Sequence, residues 1–137
     1  MRRMTYIAAV HVMAVVLFTA HIPAEASVSV TASSSEGRET DAPNAFDNNM
    51  QTRWSSAFSD PQWIRIDLGK PEMMIGLVLN WEAAYGKNYE VSVSNDGKAW
   101  RRVYSETDGD GLIDDVYFGR TKARYIKIDL IERGTGW

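Results

Sequence analysis

From Val28 onward, apolar and polar residues alternate in short runs, with turn-forming residues between the runs. Residues 28–32 alternate. Residues 63–68 alternate and meet Gly69-Lys70-Pro71, which predicts the end of a strand. Residues 75–81 are mostly apolar, as expected of a buried central strand. Residues 89–94 alternate; Asn95-Asp96-Gly97-Lys98 then predicts a tight turn with Gly97 at positive φ, and residues 100–105 follow as the partner strand. After the Gly-rich loop 108–111, residues 114–118 predict a short strand and 123–131 the longest one. No stretch after Ala26 keeps apolar residues at helical spacing over three turns. Seven short strands separated by turn signals predict an all-β sandwich or barrel.

The first residues follow a different pattern. Arg2 and Arg3 precede an apolar run from Ile7 to Ala20, broken only by His11 and Thr19, and Ala24-Glu25-Ala26 closes it. A basic start, a short apolar core and a small-x-small exit predict a secretory signal peptide over 1–26, cleaved after Ala26. A membrane-spanning helix needs about 20 apolar residues, which this run lacks. The mature domain is then 27–137 and its location extracellular, either secreted or at the cell surface.

Charge and residue inventory narrow the chemistry. Of 15 basic and 18 acidic residues, the leader removes Arg2, Arg3 and Glu25, leaving an acidic domain. That balance argues against nucleic acid as a partner and against attachment to anionic membranes. The chain has no Cys, so there is neither a disulfide framework nor a thiolate metal site. Both histidines, His11 and His21, lie in the leader. Triads and zinc sites built on His are therefore excluded from the domain. Asp114 and Asp115 cannot serve as a glycosidase pair, because neighbours in a strand point to opposite faces. The domain reads as non-catalytic.

Specific blocks resemble the discoidin domain, also called the coagulation factor 5/8 type C domain. Asn44-Ala45-Phe46-Asp47-Asn48-Asn49-Met50-Gln51-Thr52-Arg53-Trp54 is similar to that family's Ala-x-Asp-Gly-Asn-x-x-Thr-Arg-Trp segment. Gln62-Trp63-Ile64-Arg65-Ile66-Asp67-Leu68-Gly69, Trp81 to Tyr89, Val91 to Trp100 and Ala123-Arg124-Tyr125-Ile126 resemble further blocks, in order. The resemblance implies a jelly-roll β-sandwich, eight-stranded in the family, with the last strand missing after Gly136-Trp137. It also points to bacterial carbohydrate-binding modules of family 32.

The resemblance carries two sets of candidate residues. A structural Ca2+ would be held by Asn44, Asp47, Asn49 and Thr52, the last three on a tight loop in which Asn48 replaces a glycine and must tolerate the left-handed region. The alternative for this loop is an Asx-turn with Asp47 bonding backbone amides. A sugar would meet Phe58 and Tyr85 as stacking faces, with Asp60, Gln62, Glu82, Lys87 and Asn88 as hydrogen-bonding groups. Galactose-binding relatives use a loop His and Arg; with no His in the domain, glucans or chitosan-like chains remain open. Trp54 is expected to pack in the sandwich and Arg53 to pair with a carboxylate, against a competing reading of both as a sugar platform. Trp63 and Trp100 are expected in the core. Asp108-Gly109-Asp110-Gly111 lacks the remainder of an EF-hand and reads as a turn.

These features favour a carbohydrate-binding module that holds a glycoside hydrolase, linked in the same polypeptide, near its polysaccharide. The alternative is a cell-surface adhesion or lipid-binding discoidin module. Phe58 is the one clear apolar spike for that role.

Overall fold

The computed structural model describes residues 9–16 and 27–136, and in 9–16 only the Val12 side chain. Its architecture is an antiparallel jelly-roll sandwich of two layers. The strands are β1 (Ala9–Val16), β2 (Ser29–Ala32), β3 (Trp54–Ser55), β4 (Gln62–Trp81), β5 (Gly86–Ser94), β6 (Arg101–Glu106) and β7 (Ile113–Arg133).

Two long strands join the layers. The four runs expected at 63–68, 75–81, 114–118 and 123–131 are only two strands, each bent at a glycine. Pairing of β4 with β7 lapses between Asp67 and Glu72 and slips again between Met74 and Gly76. Gly69 (φ 77) and Gly119 (φ 77) sit at these irregularities. Glycine has no Cβ to oppose positive φ, so the strand turns a corner instead of ending. One layer then reads β2, first half of β4, second half of β7, β5, β6. The other reads β3, β1, second half of β4, first half of β7.

The layers enclose one core. Ile64, Ile66, Val91, Val93, Ile126 and Ile128 meet Leu77, Leu79, Met74 and Val116 there. Alternation along β4 decides the side: Ile64 and Ile66 point in, while Trp63, Arg65 and Asp67 stay partly exposed. Trp63 is thus outside the core, with Lys127 Nζ 5.8 Å from its ring. Trp100 is also partly exposed, 6.4 Å edge-on to Tyr125. For Trp63 the reason is strand register; Trp100 lies outside any strand, just ahead of β6. The 95–98 turn forms as expected, with Gly97 at φ 69 and the Asp96 carboxylate accepting the Lys98 and Ala99 amides.

β1 was not expected as a strand. It lies inside the apolar run read as a leader and pairs antiparallel with β4 and β3. The rest of that leader, residues 1–8 and 17–26, lies outside the described residues, as does Trp137.

A clamp fixes the first corner. Arg124 Nε and Nη2 donate to the two Asp67 oxygens at 2.8 and 2.9 Å, and Asp67 Oδ1 also accepts the Gly69 amide at 2.8 Å. The Arg124 guanidinium holds the Asp67 carboxyl below its ordinary range. Its contribution is complete above the unfolded value of 3.8 and is lost as pH falls through the lower folded value. The stability gap between the native chain and D67N, followed by thermal melts across acid pH, should therefore close as pH drops below 3.8. Gly76 packs against β7 so closely that a Cβ would lie 2.3 Å from the Val116 carbonyl, whereas Gly37 has open space around it. Gly76→Ala should cost about 1–3 kcal/mol in urea unfolding, and Gly37→Ala no more than about 0.5 kcal/mol.

Candidate functional site

A recess opens at one end of the sandwich, where the 56–61 loop, Tyr85-Gly86 and the end of β7 converge. Four of the seven sugar-site expectations, Phe58, Asp60, Gln62 and Tyr85, line it. Phe58 is 48% exposed, with its ring available for stacking.

Tyr85 owes its position to glycines. A Cβ on Gly134 would fall 2.1 Å from its ring, and one on Gly111 2.9 Å away. Gly134 N also donates to the Tyr85 carbonyl at 2.9 Å. The ring is thus laid on bare backbone, partly buried against the core, and lines the recess. Below it, Gly86 lies over Leu130, Trp81 and Tyr89. Trp81 Nε1 and Tyr89 Oη both donate to Asp114 Oδ2 at 2.7 Å. Burial, then the Asp114 carboxylate, pushes the Tyr89 hydroxyl pKa upward, so it remains a donor. Asp115, by contrast, is exposed, which confirms that the adjacent pair diverges.

Gln62 lines the recess but cannot offer its amide to a ligand. Oε1 accepts from Ser33 Oγ (2.5 Å) and Ser34 Oγ (2.6 Å), and Nε2 donates to the Ser59 carbonyl and hydroxyl, both at 2.8 Å. All four of its hydrogen-bonding positions are in use. Through these bonds Gln62 braces the 56–61 loop. Glu82 is not part of the recess; its carboxylate accepts the Ala83 amide. Lys87 and Asn88 stand beside the recess through Glu132: Asn88 Nδ2 donates to it at 2.5 Å and Lys87 Nζ is 4.0 Å away.

Glu132 and Arg133 themselves line the recess and were missed. The alternating apolar signal stops at Ile131, but β7 runs on to Arg133. Arg133 Nε lies 3.2 Å from Asp60 Oδ2, tying the strand end to the loop. The 108–111 turn docks alongside, with Gly109 N donating to the Lys87 carbonyl at 2.9 Å. Asp108 and Asp110 are exposed on it.

The 44–52 segment forms a second feature. Asp47 Oδ1 accepts the Asn49 amide at 2.9 Å, and Asp47 Oδ2 lies 2.6 Å from Thr52 Oγ1, which is 2.9 Å from the Asn49 carbonyl. Asn48 takes φ 59, the conformation its predecessor-glycine position demands. The Asn44 side chain is engaged elsewhere, donating to the Glu39 carbonyl at 2.9 Å, and only its main-chain carbonyl is left for the loop. The loop is an Asx-turn whose oxygens converge. Those oxygens, from one carboxylate, a hydroxyl and a carbonyl, suit a hard cation in kind. Among the described residues no group of three or more His, Cys, Asp and Glu gathers into a metal cluster.

Trp54 packs in the core at 1% exposure, its Nε1 donating to the Ser34 carbonyl at 2.8 Å. Among the described residues Arg53 forms no ion pair with a carboxylate, and its Nε is buried without a hydrogen-bond partner. Residues 49–52 form a turn ahead of it, with Thr52 N donating to the Asn49 carbonyl at 3.1 Å.

Comparison with known proteins places these features among relatives. The F5/8 type C domain family matches residues 29–137. Chitosan-binding module 1 of a chitosanase/glucanase from Paenibacillus sp. IK-5 is 45% identical, with TM-score 0.75, over 79% of this chain and 85% of that one. Module 2 of the same enzyme, solved with chitotriose, is 40% identical with TM-score 0.75, over 79% and 86%. A polysaccharide lyase 8 family protein, HylA, from Enterococcus faecalis is 37% identical over 67 residues, 49% of this chain but only 5% of that protein's length.

Proposed function

The chain belongs to the F5/8 type C domain family as a non-catalytic module of carbohydrate-binding type, and from that membership we propose that its recess binds a cationic amino-sugar polymer of the chitosan class. The observation that carries this reading is the recess itself: an exposed Phe58 and a glycine-seated Tyr85 line it together with Asp60 and Glu132, and the 108–111 turn beside it exposes Asp108 and Asp110. Stacking surfaces take the C–H faces of pyranose rings, and carboxylates attract ammonium groups. The 40–45% identity to modules described as chitosan-binding supports the same choice.

In this reading the module raises the local concentration of a linked enzyme on its polymer through weak, reversible contact. Residues 1–26 direct export, with cleavage after Ala26, and the module works outside the cell. The 44–52 loop holds a structural Ca2+ through Asp47, Asn49 and Thr52, joined by the Asn44 carbonyl; the ion would fix the loop that precedes Trp54.

Retention on chitosan beads tests the recess. Phe58→Ala and Tyr85→Ala should each weaken binding roughly 10- to 100-fold, and added salt should weaken the native protein further. Full retention by both variants would remove the recess from the account. Calcium should raise the melting temperature, chelator should reverse the rise, and Asp47→Ala should abolish the response. Superimposable melts with and without the ion would exclude it.

A further inference from the structure

The chain holds three Asp-Gly steps: Asp96-Gly97, Asp108-Gly109 and Asp110-Gly111. Such a step can close on itself. The glycine main-chain nitrogen attacks the side-chain carboxyl carbon of the aspartate, water leaves, and a cyclic imide forms. Water then opens the imide at either carbonyl and returns aspartate or its β-linked isomer, isoaspartate. Glycine permits the attack because no Cβ shields its nitrogen. Two conditions follow from the chemistry. The attacking N–H must not have a hydrogen bond to give up. The carboxyl must not be pinned in its ionised form, which resists a nucleophile.

The structure separates the three steps. Asp96 Oδ1 accepts the Lys98 and Ala99 amides at 2.9 Å each, and Gly97 N donates to Ser94 Oγ at 2.9 Å. The two amides hold the Asp96 carboxyl below its ordinary range and so keep it ionised. At Asp108 the following nitrogen is engaged: Gly109 N donates to the Lys87 carbonyl at 2.9 Å, and a Cβ on Gly109 would lie 2.7 Å from the Gly86 carbonyl. Asp110 meets neither restraint. Its side chain is exposed and, among the described residues, enters no hydrogen bond or ion pair; Gly111 N has no hydrogen-bond partner among them. The backbone just beyond is strained, with Gly111 at φ 83 followed by Leu112 at φ 66, which lacks glycine's freedom.

We propose that Asp110 is a spontaneous modification site, isomerising through its imide with water as the co-reactant, and that the product unseats Tyr85. The isomer routes the main chain through the aspartate Cβ, so the backbone before Gly111 gains an atom. The turn is anchored on both sides of that point. Gly109 N is tied to the Lys87 carbonyl, and the Leu112 carbonyl accepts the Trp81 amide at 2.7 Å. Between these anchors Gly111 lies against Tyr85, where a Cβ would already come within 2.9 Å of the ring. The longer chain pushes Gly111 into the ring or out of the turn, and either movement removes the seat. Any effect on ligand binding rests on the recess being the glycan site; the modification and the loss of the seat do not.

The test ages the full chain in near-neutral, heavy-oxygen water at physiological temperature. Each passage through the imide leaves a heavy oxygen behind, and fragmentation of the peptides locates it. Label and isoaspartate should build up at Asp110 at least about fivefold faster than at Asp96 or Asp108, the factor that one ordinary hydrogen bond is worth. Asp110→Glu should take up little label there, because its imide ring is larger and closes more slowly. The isoaspartate form, separated by ion exchange, should lose hydrogen-exchange protection at the Gly134 amide, which donates to the Tyr85 carbonyl. It should also be retained less on chitosan beads than fresh protein. The proposal is overturned if Asp96 or Asp108 isomerises as fast as Asp110, if none of the three takes up label, or if the isoaspartate form keeps its Gly134 protection. Fresh protein that fails to bind the beads strikes the glycan reading instead and leaves the label and exchange readouts to decide this one.

Discussion

Everything in this fold hangs on β4 and β7 pairing along nearly their whole lengths while both turn a corner. A straight pair would belong to one layer and leave its apolar faces half covered. Two glycines at positive φ, on different strands, let the pair bend together. The same residues therefore line both inner faces: Ile64 and Ile126 on one side, Leu77 and Val116 on the other. Burying each such side chain stabilises by about 1.5–3 kcal/mol, so the corner governs most of the hydrophobic gain. Asp67 and Arg124 clamp the corner where ladder bonds lapse. The clamp is partly exposed, and it sets geometry more than it adds stability.

The recess inherits its shape from that bend. The far ends of β4 and β7 deliver Trp81 and Leu130 beneath Gly86, and Asp114 holds the Trp81 and Tyr89 rings from below. Tyr85 then lies on Gly134 and Gly111. A flat ring pressed on backbone has few alternative rotamers, so little conformational entropy is lost when a ligand stacks on it. Gln62 gives the opposite loop the same stiffness through four hydrogen bonds. Rigid walls on both sides suit a weak ligand whose contacts are few.

Alternation made the strand content legible, because one buried face leaves a period of two in the sequence. It did not reveal that Gly69-Lys70-Pro71 bends a strand without ending it. A turn and a corner use the same residues and differ only in which partner continues beyond them. Phe58, Asp60 and Tyr85 were legible as recess residues through block resemblance. Glu132 and Arg133 were not, since charged residues at a strand end carry no periodic signal. Gln62 shows the converse limit: its residue type suits sugar binding, and only the positions of Ser33, Ser34 and Ser59 reveal that its amide is already satisfied. Trp63 was misplaced because aromatic size was weighed above register.

The run from Ile7 to Ala20 bears two readings because both demand the same thing of a sequence. An export leader needs continuous apolarity. A strand laid against β4 needs extended apolar backbone on at least one face. Main-chain hydrogen bonds in the ladder do not distinguish one sequence from another, so the edge of β4 accepts AVHVMAVV on backbone terms alone. An uncovered edge beside residues 74–81 would be a template for unwanted pairing. Choice enters only where side chains meet: the cleft by Val12, and the unpaired nitrogen of Arg53.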